Sequence, residues 1–410
     1  MRHILRYAQV LWLVLVLGCS ASSEPPEDSQ TSPSDPAAQE TETGEDDPTP
    51  EAEEGEGDPW SDMTQFIEEQ KTLNNIPGLA VALTRPGEVL WTAGFGLANR
   101  ETGVPVTIDT PFMMASVSKT LTAVAVMQAQ DDGELALDDN INTHLPFLVD
   151  NPRVEDEEIL VRHLVSHTSG IRDNWSQMPY ADGDSPHALG SYLEGYLLEG
   201  GAWFNATDNF YANMPGTVNE YGNIATALAG FVVESSTDGS FDDYCDEHIF
   251  DVLSMENTGW HLADFDPALV AMPYEYENGE HQAVGHYGYP DYPDGQLRSS
   301  VNDMARFLAA ISNQGQLGEA HILTPQSVAE MFTPQFPSVD SGQFVFWYQS
   351  NLGDRTVFGH NGGDQGVATQ ILFSPESGIG VVLMLNTDWE AAGGAPGAIM
   401  EALFERAEAN

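Results

Sequence analysis

The sequence predicts an α+β fold in which both ends of the globular region form one antiparallel sheet, flanked by helices. Near the start, residues 78–96 read as two β-runs joined by a Pro-Gly turn, which predicts a hairpin. Between about residues 111 and 317 the pattern is helical, which predicts a large helical insert. Strand-like runs then return near the C-terminus, at 343–349, 355–360, 366–374 and 378–386.

Apolar periodicity near 3.6 residues predicts the helices. An amphipathic helix at 62–75 precedes the first strand, and another at 396–409 closes the chain. A Ser-Pro-Glu-Ser-Gly turn joins the last two strands as a second hairpin. The sequence shows no internal repeat. The helical segments of the insert lie at 119–135, 161–167, 221–236 and 301–315.

The N-terminus divides into an export signal and a linker. Residues 1–19 combine two arginines with a short apolar run that ends at Gly-Cys, which resembles a bacterial lipoprotein signal with Cys19 as the lipid anchor. The alternative is an ordinary secretory signal with an incidental cysteine. Residues 20–60 are acidic and rich in Pro, Ser and Thr, which predicts a disordered linker. We therefore expect an exported, lipid-anchored protein whose globular domain occupies 61–410.

Charge excludes two classes of partner. The chain has 64 acidic and 13 basic residues, for a net charge of −51, and residues 61–410 alone hold 50 acidic against 11 basic residues. Such a surface repels nucleic acid and anionic membranes, so contact with a membrane is expected only through the lipid anchor. Besides Cys19 the only cysteine is Cys245, which leaves no cysteine pair within the globular domain for a disulfide.

Ser116 and Lys119 are the first candidate catalytic residues. A helix that begins at about Ser116 places both residues on one face, and helical side chains lean toward the N-terminus. The Lys119 amine then reaches the Ser116 hydroxyl and can accept its proton during attack on a carbonyl. The alternative is a solvated lysine in a first helical turn, although a cation there opposes the helix dipole. The chain has only two lysines.

Tyr221 and Asn223 flank a glycine at the start of an apolar helix. A tyrosine hydroxyl beside a lysine can shuttle a proton, and an asparagine amide can bind a substrate carbonyl or hold the lysine. Taken alone, Tyr-Gly-Asn is also an ordinary turn and helix cap.

His360, Gly362 and Gly363 end one predicted strand. The glycines allow a substrate to approach the backbone closely. If this edge faces Ser116, the N–H groups of Gly363 and Ser116 can form an oxyanion hole. A glycine-rich loop before a strand is the structural alternative.

Taken in order, Ser-x-x-Lys, Tyr-x-Asn and His-x-Gly resemble the active-site set of the serine β-lactamase and penicillin-binding-protein superfamily, in particular its class C-like branch. Further family-like blocks extend the resemblance over about residues 64 to 390. It implies a β-lactamase/transpeptidase-like fold, with Ser116 as the acylated nucleophile and Lys119 and Tyr221 as proton-transfer groups. Asn223 then orients the substrate, and the third motif contributes to substrate binding.

His360 departs from the pattern of many β-lactamases, which have a lysine there that binds the substrate carboxylate. A histidine is largely neutral above pH about 6.5, so its attraction for a carboxylate is weaker. The resemblance therefore implies a small-molecule or peptide substrate of the β-lactam, D-amino-acid peptide or ester class, without a metal or organic cofactor. The alternative function is a non-catalytic module that binds peptidoglycan or protein.

His163 and His167 have the spacing of a helical metal pair. No carboxylate stands between them in the manner of zinc proteases, and no third ligand is evident. We therefore interpret this segment as a helix that ends in a structural turn, with His167 near the active-site wall.

Overall fold

A computed structural model describes residues 59–155 and 157–409. One compact unit comprises the chain from Met63 onward. The predicted signal, Cys19 and nearly all of the predicted linker lie outside the described residues, so these interpretations remain predictions. Among the described residues, no helix has the length and apolar character needed to span a membrane.

Strands and helices are numbered separately along the chain. The strands are β1 (Gly78–Arg85), β2 (Glu88–Asn99), β3 (Val104–Pro105), β4 (Phe112–Met113), β5 (Ala181–Asp182), β6 (Thr258–Gly259), β7 (Tyr274–Glu277), β8 (Glu280–Ala283), β9 (Tyr287–Gly288), β10 (Arg298–Ser299), β11 (Gln316–Leu317), β12 (Ala320–His321), β13 (Tyr348–Leu352), β14 (Arg355–Asp364), β15 (Val367–Phe373) and β16 (Gly380–Leu385). The helices are α1 (Ser61–Leu73), α2 (Lys119–Asp131), α3 (Val161–Val165), α4 (Leu189–Leu197), α5 (Asn223–Ser236), α6 (Phe241–Cys245), α7 (Asp251–Leu253), α8 (Val301–Ser312), α9 (Pro325–Met331), α10 (Trp389–Ala392) and α11 (Ala395–Glu408).

The central sheet joins the two ends of the chain, as the sequence predicted. Its strand order is β13-β14-β15-β16-β1-β2-β3, and neighbouring strands are antiparallel. The first strand pairs directly with the last, with Val81 opposite Leu383. Gly87 has a φ of 73° in the turn between β1 and β2, a left-handed conformation that glycine adopts without strain.

Helices cover the sheet and fill the insert. Strand β16 is buried along its whole length, and both α8 and α11 pack against it. Within the insert, α2 and α5 pack side by side, and almost every residue of α2 is buried. Since a helix that is buried all round has no side facing solvent, its position is determined by packing on every side. This packing fixes the position of the N-terminus of α2.

Three local predictions differ from the structure. The run 343–349 is not a strand until Tyr348, because Phe346 has a φ of 54° and its N–H donates to the Val165 carbonyl at 2.8 Å. These aromatic residues are buried, but in a loop over the end of α3. Helix α3 stops at Val165, and His167 adopts a φ of 56°. Finally, α2 begins at Lys119, because a 3-10 turn precedes it.

Candidate active site

Ser116 lies in the 3-10 turn Ala115–Ser118, which leads directly into α2. Ala115 has a φ of 46°, a conformation that costs a residue with a Cβ about 1–2 kcal/mol. Its neighbour Met114 is held from two sides, because its N–H donates to the Leu297 carbonyl at 2.8 Å and its carbonyl accepts from Thr369 Oγ1 at 2.6 Å. The strained residue is thus fixed between anchored segments, and Ser116 is presented at the N-terminus of a buried helix.

Lys119 is fully buried, and its ammonium group has three acceptors. Nζ lies 2.6 Å from Asn223 Oδ1, 2.6 Å from the Asp294 carbonyl oxygen and 3.3 Å from Ser116 Oγ. An ammonium group has three protons, so this set satisfies it completely. Burial lowers the pKa of Lys119, but its interactions with Tyr221 and Asp294 outweigh burial and leave the pKa above its ordinary value. Lys119 is therefore a cation at neutral pH.

Tyr221 contacts the same serine from the other side. Its hydroxyl donates to Ser116 Oγ at 2.8 Å, and Lys119 Nζ lies 5.0 Å from the centroid of its ring. Burial raises the pKa of Tyr221, and the Lys119 charge only partly opposes that rise. In the resting site Lys119 is thus an ammonium group and Tyr221 is a neutral phenol.

Asp173 caps the helix that carries Asn223. The Asn223 N–H lies 2.9 Å from both carboxylate oxygens of Asp173, and the Ile224 N–H lies 3.0 Å from Oδ1. These bonds satisfy N–H groups of the first turn of α5, which have no partner inside the helix. The Asn223 side chain is thereby held against Lys119. No motif of the sequence pointed to Asp173, which lies 50 residues before Asn223.

Two buried histidines beside Tyr221 are neutral. Burial and the Lys119 charge lower the pKa of His360 to about 3, and burial also lowers that of His167 well below its ordinary value. The ring centroids of His167 and His360 lie 4.6 Å and 6.2 Å from that of Tyr221. His360 Nδ1 lies 2.6 Å from the Asn361 carbonyl, which can only accept, so Nδ1 has the proton. His360 thus adds no positive charge to the site.

Gly362 and Gly363 lie on β14 next to the Ser116 turn. A Cβ on Gly362 would collide with the Met114 carbonyl and with Thr369 Oγ1, so only glycine permits this approach. The Trp389 indole N–H donates to the Gly362 carbonyl at 2.8 Å and holds the strand from another side. The structure thus brings Ser116, Lys119, Tyr221, Asn223, His360 and Gly362 together, and Gly363 follows Gly362 on the same strand.

His163 and His167 have separate partners and are not arranged as a metal pair. His163 Nδ1 accepts from the Leu160 N–H at 3.0 Å, and its ring stacks on Phe336. His167 Nδ1 instead lies 3.3 Å from the Gly222 N–H. Over the part of the chain that the structure describes, no group of three or more His, Cys, Asp or Glu side chains is arranged to hold a metal ion.

The sequence model of the beta-lactamase family matches residues 63–403. The chain belongs to the beta-lactamase family. Protein flp of Staphylococcus aureus strain MW2 is 22% identical over 331 residues, and this alignment covers 79% of the chain but 62% of that relative. The chain thus spans less than two thirds of the length of this relative.

Solved structures of low sequence identity share the fold. The beta-lactamase/D-alanine carboxypeptidase from Pseudomonas syringae matches with a TM-score of 0.64 and 21% identity, over 84% of this chain and 99% of the other. EstCE1, described as a hydrolase with promiscuous acyltransferase activity, matches with a TM-score of 0.63 and 20% identity, over 84% and 98% of the two chains. At these identities the likeness establishes the fold, and it confirms the predicted β-lactamase/transpeptidase-like architecture.

The cap on α5 provides a first test of how the residues of the candidate site are held in place. In Asp173→Ala the N–H groups of Asn223 and Ile224 lose their acceptor, so we expect the free energy of unfolding to fall by about 1–2 kcal/mol. We also expect kcat for an ester to fall, since Asn223 moves relative to Lys119. Urea denaturation and ester hydrolysis measure the two effects, with Asp354→Ala in an exposed turn as control. A variant as stable and active as the wild type contradicts the capping role.

The close approach of β14 to the serine turn provides a second test. Gly362→Ala forces the Met114 carbonyl and the strand apart, and displacements near 1 Å at a reacting group reduce rates by about a hundredfold. We expect this loss in kcat. In Gly397→Ala the added methyl group meets open space, so this control is expected to remain active. Gly362→Ala with full kcat would mean that the approach does not position Ser116.

Proposed function

We propose that this protein is a serine hydrolase that forms a covalent acyl-enzyme on Ser116. The observation that supports the proposal best is the double contact of Ser116 Oγ, with Lys119 Nζ at 3.3 Å and the Tyr221 hydroxyl at 2.8 Å. A serine hydroxyl needs a neighbouring group that can take its proton, and two such groups lie within reach here. Membership of the beta-lactamase family supports the same reaction class.

The steps follow from the positions of these groups. Loss of one proton from the Lys119 and Tyr221 pair provides the base. Ser116 Oγ then attacks the carbonyl carbon, its proton passes to this base, and the carbonyl oxygen becomes an oxyanion held by the Ser116 and Gly363 N–H groups. Collapse breaks the bond to the leaving group, which takes the proton. Water then attacks the acyl-enzyme by the same route and releases the acid.

The substrate is proposed to be an ester or amide without a carboxylate near the scissile bond. His360 is 2% exposed, with a pKa lowered to about 3 by burial and by Lys119, so it offers no charge to a substrate carboxylate. Lys119 is a cation, but its three protons already have acceptors within the protein. β-Lactams, which have such a carboxylate, are therefore proposed to be poor substrates. The alternative, a non-catalytic binding module, gives no reason for the contacts of Ser116 with Lys119 and Tyr221.

Ser116→Ala tests the nucleophile. We expect a fluorescent fluorophosphonate to label the wild type and the control Ser377→Ala, which alters an exposed turn, but not Ser116→Ala. Parallel assays with p-nitrophenyl acetate, nitrocefin and a D-Ala-D-Ala peptide rank the substrate classes, and we expect the ester to be the fastest. Equal labelling of Ser116→Ala would refute the site assignment. A faster rate with nitrocefin than with the ester would favour a β-lactamase.

The pH profile tests the source of the base. Both Lys119 and Tyr221 have raised pKa values, so the deprotonated pair is a minor species at pH 7 whose population rises with pH. We expect kcat/KM for p-nitrophenyl acetate, corrected by Ser116→Ala, to rise between about pH 7 and 9, and Tyr221→Phe to reduce it by about a hundredfold or more. His360 is neutral throughout this range. A flat profile in the wild type would contradict this assignment.

A further inference from the structure

Three tyrosines form a wall beside the serine turn. The centroid of the Tyr180 ring lies 5.4 Å from those of both Tyr287 and Tyr289. Tyr287 and Tyr289 pack with Ala115, the residue before the nucleophile. A Cβ on Gly295 would collide with the Tyr289 hydroxyl and would also lie 3.5 Å from the Ala115 carbonyl carbon, which places that hydroxyl next to the serine turn. This tyrosine wall therefore borders the candidate active site.

The carboxylate of Asp364 links the tyrosine wall to the end of β14, the strand that carries Gly363. Asp364 directly follows Gly363, and its Oδ1 accepts from the Tyr180 hydroxyl at 3.0 Å and from the Gln365 N–H at 2.8 Å. The Tyr287 hydroxyl donates to the Gln365 carbonyl at 3.0 Å and holds the same turn. Tyr180 is 38% exposed, so this end of the wall is open to an incoming substrate.

The other carboxyl groups of the site already have partners within the protein. Asp173 accepts the N–H groups of α5. Asp291 and Asp294 are a buried pair behind Lys119, and since two adjacent buried carboxylates do not both ionise, the pair has one negative charge opposite one lysine. Burial raises the pKa of Asp364 to about 6, so this group is ionised at pH 7.4. Asp364 is thus a carboxylate beside the tyrosine wall that forms no ion pair with a side chain of the described residues.

Among the residues that the structure places around the tyrosine wall, the nearby cation Arg298 is not available to bind a substrate carboxylate. Arg298 lies behind Tyr287 but is 1% exposed, and its guanidinium donates to the Tyr287 carbonyl at 2.6 Å and to the Gln296 carbonyl at 3.4 Å. A substrate carboxylate cannot reach it. A carboxylate flanked by aromatic rings is a suitable site for an ammonium group, which gains both ion pairing and cation–π attraction.

We propose that Asp364 and Tyr180 form a specificity subsite for an ammonium group on the acyl portion of the substrate. This inference rests on the proposed serine hydrolase function and narrows it to acyl groups with a free amine, such as amino acid esters and amides. The subsite lies one residue beyond Gly363, so an amine a few bonds from the carbonyl held in the proposed oxyanion hole can reach it.

Three esters with one leaving group test the charge preference. p-Nitrophenyl 3-aminopropanoate, p-nitrophenyl butanoate and mono-p-nitrophenyl succinate place an ammonium, a methyl or a carboxylate group at nearly the same position. At 150 mM salt, which screens the acidic surface, we expect kcat/KM to be about tenfold higher for the ammonium ester than for the butanoate, and lowest for the succinate. The rate of Ser116→Ala is subtracted as background.

Two variants assign the preference to the subsite. Asp364→Asn is expected to reduce the ammonium to butanoate ratio to about one. Tyr180→Phe, which keeps the ring, is expected to lower the ratio severalfold. Asp354→Asn, at the other end of β14, makes the same charge change in an exposed turn and is expected to leave the ratio unchanged.

The outcomes separate this inference from the proposed function. If the wild type hydrolyses no ester faster than Ser116→Ala, the hydrolase function itself is wrong. If butanoate is hydrolysed through Ser116 without a preference for the ammonium ester, or if Asp364→Asn and Tyr180→Phe keep the preference, only the subsite is wrong.

Discussion

The buried ammonium group of Lys119 is the constraint on which the site depends. Its acceptors come from three separate segments, the serine turn with Ser116, helix α5 with Asn223 and the 3-10 turn Tyr292–Asp294. An unpaired buried charge costs several kcal/mol, so the fold is stable only when all three segments meet at this nitrogen. The same requirement brings a nucleophile, an amide and a buried carboxyl pair to within reach of one another.

The sequence predicted the sheet better than the loops that border it. Hairpins at 78–96 and around Gly378 have strand periodicity and turn residues, and both are present because these local signals agree with the packing. The run 343–347 has the same apolar character, yet it is buried as a loop with Phe346 in a left-handed conformation. Apolar content indicates burial, but it does not show whether the buried backbone pairs with a strand.

In the candidate site, too, the sequence predicted some groups and missed others. Ser116 and Lys119 share one helical start, so their contact is a local property that spacing predicts. Asp294 contributes its backbone carbonyl, a group that every residue has, so no pattern of side chains marks it. Asp173 and Trp389 act on Asn223 and Gly362 across 50 and 27 residues, and only the tertiary fold brings them there. Sequence motifs thus identify the groups that react more readily than the groups that hold them.

Because His167 and His360 are neutral, they do not select substrates by charge, and other groups of the site must do so. A second cation at His360 or His167 would repel Lys119 in a buried environment, and burial keeps both imidazoles uncharged instead. Lys119 is in turn balanced from within the protein by Asp294 and its buried neighbour. In the proposed subsite, selection by substrate charge depends on Asp364, whose hydrogen bonds are to Tyr180 and Gln365 rather than to the proton-transfer groups.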